Sequence, residues 1–169
     1  MAVVTTYSPG YPNPNALSAY SMNSAMALSR MRVSTFSIAV NNGDSIGSIY
    51  KLARLPSKAN ILGLSQLYVP VAIAGLAVSC GFTDNFNTNT VVPAAFMNAV
   101  SVTAGGTFPM LSALALSNSI AQLWQILQQT NAAVTQDPGS TYDLLLQVTT
   151  APTASGTLLG EIFWADDNP

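Results

Sequence analysis

Apolar and polar residues alternate most clearly over residues 32–40, where Phe36, Ile38 and Val40 are separated by Ser37 and Ala39. A period of two is what a half-buried strand requires, because successive side chains leave opposite faces. Asn41-Asn42-Gly43-Asp44 then forms a turn. A second strand is expected over residues 48–55. Strict alternation puts Ile49, Lys51, Ala53 and Leu55 on one side, and Tyr50, Leu52 and Arg54 on the other, before Pro56-Ser57-Lys58 breaks the strand. Residues 59–82 carry no charge and are long enough to cross a bilayer as a helix. Asn60, Gly63, Gln66 and Gly75 interrupt that run, and Pro70 divides it, so two buried strands over 61–69 and 71–82 are the preferred reading.

Further along, residues 83–90 form an Asn/Thr loop, and residues 91–102 fit a helix or a strand equally. Gly105-Gly106 is a turn. The best helix spans residues 117–129. Ser117 or Asn118 is placed to cap it, and Ile120, Leu123, Trp124 and Leu127 fall at i, i+3, i+4 and i+7. Asp137-Pro138-Gly139-Ser140 precedes a strand over 142–149, residues 151–156 form a loop, and a last strand covers 158–165. These two strands read as a hairpin. Residues 1–29 carry no charge and contain Pro9, Pro12 and Pro14. They read as an extended arm with a loosely helical pattern over 15–31, and they lack the basic start of a secretory signal. The expected organisation is an arm over 1–29 and one domain over 30–169. About six to eight strands with one short helix point to a mainly β, antiparallel two-sheet sandwich, jelly-roll-like in type.

Composition turns this fold into a surface. Hydrophobic residues make up 49% of the chain and charged residues 7%, against about 25% charged in an average soluble domain. A surface this poor in Lys and Glu has the composition of an interface and little repulsion between copies. The net charge of −2 hides an asymmetry. Arg30, Arg32, Lys51, Arg54 and Lys58 all precede Asp84, Asp137, Asp143, Glu161, Asp166 and Asp167, with Asp44 alone among the basic residues. Opposite ends of the chain thus have opposite sign, which would favour head-to-tail contacts. Five scattered cations do not make a nucleic-acid surface.

Little chemistry survives inspection. The chain has no histidine, which removes Ser-His-Asp and Cys-His arrangements and most catalytic zinc sites. Asp143 and Glu161 are the one carboxylate pair that the expected C-terminal hairpin would bring together, and outward-facing strand positions explain both without catalysis. Cys80 lies in an apolar stretch, where a buried inert thiol is the default. The loop at 83–90 holds one carboxylate, Asp84, too few for calcium. No catalytic residue, metal or cofactor is expected. Trp124, Trp164 and the tyrosines leave a carbohydrate-binding sandwich as one alternative, and a membrane helix over 59–82 as another.

Two stretches carry a resemblance. The first runs Gly43-Asp44-Ser45-Ile46-Gly47-Ser48-Ile49-Tyr50 and continues to Arg54-Leu55-Pro56-Ser57-Lys58-Ala59. The second is Leu123-Trp124, then Asp137-Pro138-Gly139-Ser140-Thr141-Tyr142-Asp143-Leu144, then Thr149-Thr150-Ala151-Pro152-Thr153-Ala154-Ser155-Gly156-Thr157. Together, over residues 30–165, they resemble the small head decoration, or capsid cement, proteins of tailed bacteriophages. The resemblance implies a jelly-roll-like sandwich on the outside of a capsid, clamping neighbouring capsomers. It implies the major capsid protein and further copies of the chain (a dimer or trimer) as partners, with no nucleic acid, membrane or cofactor. Another shell or tail subunit is the alternative within virion proteins.

Overall fold

The computed structural model describes residues 5–7, 31–84, 91–112, 121–130 and 134–166. Ten strands and one helix lie in them: β1 (Thr5–Tyr7), β2 (Met31–Val40), β3 (Ile49–Pro56), β4 (Ala59–Ile61), β5 (Gln66–Val69), β6 (Ala77–Thr83), β7 (Val91–Ser101), β8 (Gly106–Pro109), α1 (Leu123–Thr130), β9 (Thr141–Thr150) and β10 (Gly156–Asp166). They build two sheets. One has the order β1-β3-β9-β6-β7, the other β2-β10-β5-β8, with β4 also on β10. Apart from the parallel pair β1–β3, the pairings are antiparallel.

The pairings are nested. β6 pairs with β7, β5 with β8, β3 with β9, and β2 with β10. The chain is therefore one long hairpin folded across two sheets, which is the jelly roll. The mainly β sandwich with one short helix is as the sequence indicates.

The core lies between the sheets. Phe36, Ile38 and Val40 of β2, Tyr142, Leu144, Leu146 and Val148 of β9, and Leu158, Ile162 and Trp164 of β10 enter it at every second position. Phe82 stacks on Tyr142 with ring centroids 5.5 Å apart and leans on Phe96 at 6.0 Å. Such pairs add about 0.5–1.5 kcal/mol beyond area burial.

Several expectations change. Residues 59–82 are not a membrane helix, nor two strands. They are β4, β5 and β6, shared between both sheets. A turn closed by Ser65 N donating to Leu62 O (3.0 Å) ends the first piece. A loop after Val69 ends the second, with Leu76 N donating to Ile73 O at 3.2 Å and Gly75 at φ +79°. β6, an inner strand between β9 and β7, is buried along its whole length. Burial accounts for the missing charge in β4 and β6, whereas Leu64, Tyr68 and Val71 between them are exposed. No helix among the described residues is long and apolar enough to cross a membrane.

The last two strands are not a hairpin. β9 pairs with β3 and β6, whereas β10 pairs with β2, β4 and β5. Residues 151–155 carry the chain from one sheet to the other, anchored where Thr153 N donates to Ala74 O at 2.8 Å. Alternation marks the buried face of a strand but not the strand on which it pairs, so hairpin and crossover look alike in the sequence.

Residues 91–102 are strand rather than helix. The helix begins at Leu123, later than expected; Ser117, Asn118 and Ile120 lie outside the described residues, as does most of the 15–31 pattern. Gln125 Oε1 accepts from Gln122 N at 2.9 Å, the reach-back half of a capping box. Trp124 N donates to Ser57 O at 3.0 Å, which satisfies another free amide of the first turn.

Candidate functional site

Three charged residues, Lys51, Arg54 and Asp143, meet on the outer face of the first sheet. Strict alternation would put Lys51 and Arg54 on opposite sides of β3. Instead the register against β9 shifts between Lys51 and Ala53, so Leu52 is an extra residue. After this bulge, Lys51 stands opposite Leu145 and Arg54 opposite Asp143. Positions 143 and 145 share one face of β9, so both cations meet the same carboxylate. Lys51 Nζ lies 2.9 Å from Asp143 Oδ2, and Arg54 Nε lies 2.8 Å from Oδ1. Asp143 is fully buried while the two cations keep a little exposure.

A second polar group forms at the end of the sandwich. Ser57 Oγ donates to Asp137 Oδ1 at 2.6 Å, and Gly139 N donates to the same oxygen at 3.0 Å. Ser57 N donates to Ser140 O at 2.9 Å, and Lys58 Nζ stands 3.8 Å from Asp137 Oδ2. The Pro56-Ser57-Lys58 turn, the start of α1 and the Asp137-Pro138-Gly139-Ser140 turn are therefore one joined unit, although they are far apart in sequence. A third group closes the turn before β3. Asp44 is buried, and its Oδ2 accepts from Asn41 N at 2.9 Å and from the Tyr50 hydroxyl.

None of these groups is arranged for catalysis. Asp143 is on β9 in one sheet, and Glu161 is exposed on β10 in the other. The expected carboxylate pair fails with the hairpin that would have made it. Both oxygens of Asp143 are occupied by cations. Burial pushes the Cys80 thiol far above its ordinary range. Burial, with the bond to Asp44 behind it, does the same to the Tyr50 hydroxyl. Burial and the negative charge of Asp84 push Tyr142 up to about 12. Among the described residues no three His, Cys, Asp or Glu side chains stand close enough to hold a metal ion.

Among the described residues, Trp124, Trp164, Tyr50, Tyr68 and Tyr142 do not gather into one platform. Trp164, Tyr50 and Tyr142 are core, and Trp164 lies under Arg32, whose guanidinium is 5.1 Å from its ring centre. Trp124 is half-buried, its Nε1 donating to Gln122 Oε1 at 2.6 Å.

What the second sheet presents is a surface. On its outer face an open hollow of about 680 Å³ is lined by Leu64, Gln66, Tyr68, Leu159, Glu161 and Phe163, among others. Tyr68 is 46% and Leu64 59% exposed. β8, which frames one side of this face through its pairing with β5, carries no alternation long enough to be read from the sequence.

No protein-family model matches the chain, and no curated protein matches it. Two solved structures contain a similar chain. One, from the cyanophage Pam1 capsid asymmetric unit, aligns with a TM-score of 0.48 at 16% identity, over 94% of this chain and 99% of that one. The other aligns with a TM-score of 0.61 at 16% identity, over 99% of this chain and 100% of its own length, so from end to end the protein shares the fold of a chain in the capsid of Ralstonia phage GP4.

Proposed function

We propose that the protein is a structural subunit of a phage virion that acts by adhesion rather than catalysis. In this reading it sits on the outside of the capsid as a cement or decoration protein, clamping neighbouring capsomers. Its partners are the major capsid protein and other copies of itself; it engages neither nucleic acid nor membrane.

The observation that carries the reading is the end-to-end match, with 99% of this chain and 100% of the other aligned, to a chain of the phage GP4 capsid. The fold is shared along the length of both chains and not over one part of either. The surface supports it. Charged residues are 7% of the chain, and three of the five cations (Lys51, Arg54 and Lys58) are already matched by Asp143 and Asp137 within the fold. What remains outside is sparsely charged, and the hollow on one face sets Leu64, Leu159 and Phe163 beside Gln66 and the single carboxylate of Glu161. Such surfaces lose little solvation on association, and repetition around a capsid adds avidity. The motif resemblance over residues 30–165 favours the cement role over a shell-forming one.

Mass spectrometry of purified particles, with a cryo-electron microscopy map, tests this. The expected result is capsid-scale copy number and density on the outer surface at junctions between capsomers. Density within the continuous shell would overturn the cement role and leave a shell subunit. Absence from the particles would overturn the virion reading as a whole.

A further inference from the structure

The jelly roll ends its first sheet with an addition that its nested pairing does not require. β1 adds Thr5–Tyr7 to the edge of β3 as a parallel strand, with Thr5 opposite Ile49, Thr6 opposite Tyr50 and Tyr7 opposite Lys51. The other edge of this sheet, β7, is interrupted by Pro93 and by shifted register. In the second sheet, β8 is only four residues long and ends in Pro109. Both are ordinary protections for a sheet edge. The β3 edge is instead covered by a strand drawn from far upstream.

The chain between is much longer than that cover needs. Residues 8–30 join Tyr7 to Met31. β2 and β3 are successive strands on the same flank, so the start of β2 lies near the end of β3. Joining β1 to β2 within one copy spans the rise from Lys51 to Pro56 plus the spacing of packed sheets, roughly 27 Å in all. Residues 8–30 reach on the order of 80 Å when extended. Residues 1–29 carry no charge, so neither repulsion nor charge desolvation keeps them from another copy.

We propose that β1 is exchanged between copies of this chain, with Thr5–Tyr7 of one copy occupying the β3 edge of its neighbour. The occupant is a second copy because the strand that fits this edge is the chain's own and residues 8–30 are numerous enough to let it reach a neighbour. Backbone pairing supplies the contact, as in other cases of strand addition and domain swapping. Three residue pairs are a weak ladder alone; exchange in a repeated assembly multiplies them. The inference concerns the purified protein and stands apart from the capsid reading.

Two full-length forms, T5C and I49C, test it, because these positions stand opposite each other in the register. Co-expressed with distinct tags and then oxidised, they are expected to give a disulfide-linked heterodimer as the main crosslinked product. Pairing T5C with E161C, an exposed position of the other sheet, is expected to give none. Removing residues 1–29 is expected to lower the solution mass to that of a monomer while the β circular-dichroism signal persists. An intrachain bond in the T5C/I49C double variant with no heterodimer in the mixture would overturn the exchange, as would failure of both to crosslink. An unchanged oligomer mass after the truncation would also overturn it; should the truncated chain not fold, the crosslink decides alone.

Discussion

Asp143 shows how a single residue changes meaning between sequence and structure. In the sequence it is one of the few acids, and its expected neighbour is Glu161. In the fold it is a buried carboxylate held by Lys51 and Arg54. Removing one partner from a buried ionic group is far more damaging than removing a surface charge, because the others remain desolvated and unmatched. Asp143→Asn is therefore expected to destabilise the protein by about 3 kcal/mol, read as a lower midpoint in urea unfolding at neutral pH. Glu161→Gln, on an exposed face, is expected to stay within about 0.5 kcal/mol of the parent. Equal effects of the two would contradict the assigned roles. The charges were legible in the sequence, but their meeting was not. Lys51 and Arg54 are three apart, which in a regular strand means opposite faces. Only the extra residue Leu52 brings them to one side, and no turn or glycine signals that bulge.

At the scale of elements, long alternating strands were readable and irregular ones were not. β2 occupies the residues its pattern indicates, with burial falling on Phe36, Ile38 and Val40. β7 was ambiguous because its register breaks twice against β6, between Val78 and Cys80 and between Cys80 and Phe82. The cause sits partly at Gly81. A Cβ there would lie 1.8 Å from Val92 O and 2.6 Å from the Pro93 carbonyl carbon, so the β7 backbone passes directly over this glycine. Gly81→Ala must push that backbone away, and a loss of about 2–3 kcal/mol is expected from such overpacking. A lower thermal midpoint would register it; a midpoint unchanged from the parent would mean the close passage is absent. Glycine in a strand hints at close approach, but which backbone approaches depends on a partner strand that the sequence does not identify. β1 and β8 were missed for the same reason: short edge strands owe their existence to the strand beside them.

For the whole molecule, the titrating groups make a prediction about pH. The chain has no histidine, so stability is expected to be nearly flat between about pH 6 and 8. Tyr50, Tyr142 and Cys80 all hold their protons more tightly folded than unfolded, because burial disfavours their charged forms. An unfolded chain releases these protons first, at roughly pH 9 for the thiol and 10 for the tyrosines. Their contribution is thus complete below those values and declines as pH climbs through about 12, the folded value of Tyr142. Urea unfolding at a series of alkaline pH values should show this fall, and Tyr142→Phe should make it shallower. An identical slope in the variant would remove Tyr142 from the cause.

The sequence by itself determined the class of this protein: mainly β, one short helix, sparse charge, no charge over residues 1–29 and no histidine chemistry. Those properties are local or compositional, and a period of two or a missing residue type does not depend on what folds against it. The tertiary structure alone decided the partners. It put the last two strands in different sheets, split the uncharged run into three strands across both layers, and joined early cations to late acids, which turned an apparent charge polarity along the chain into internal ion pairs. Alternation says which side of a strand is buried and is silent on which strand lies beside it, since backbone pairing is the same for every neighbour.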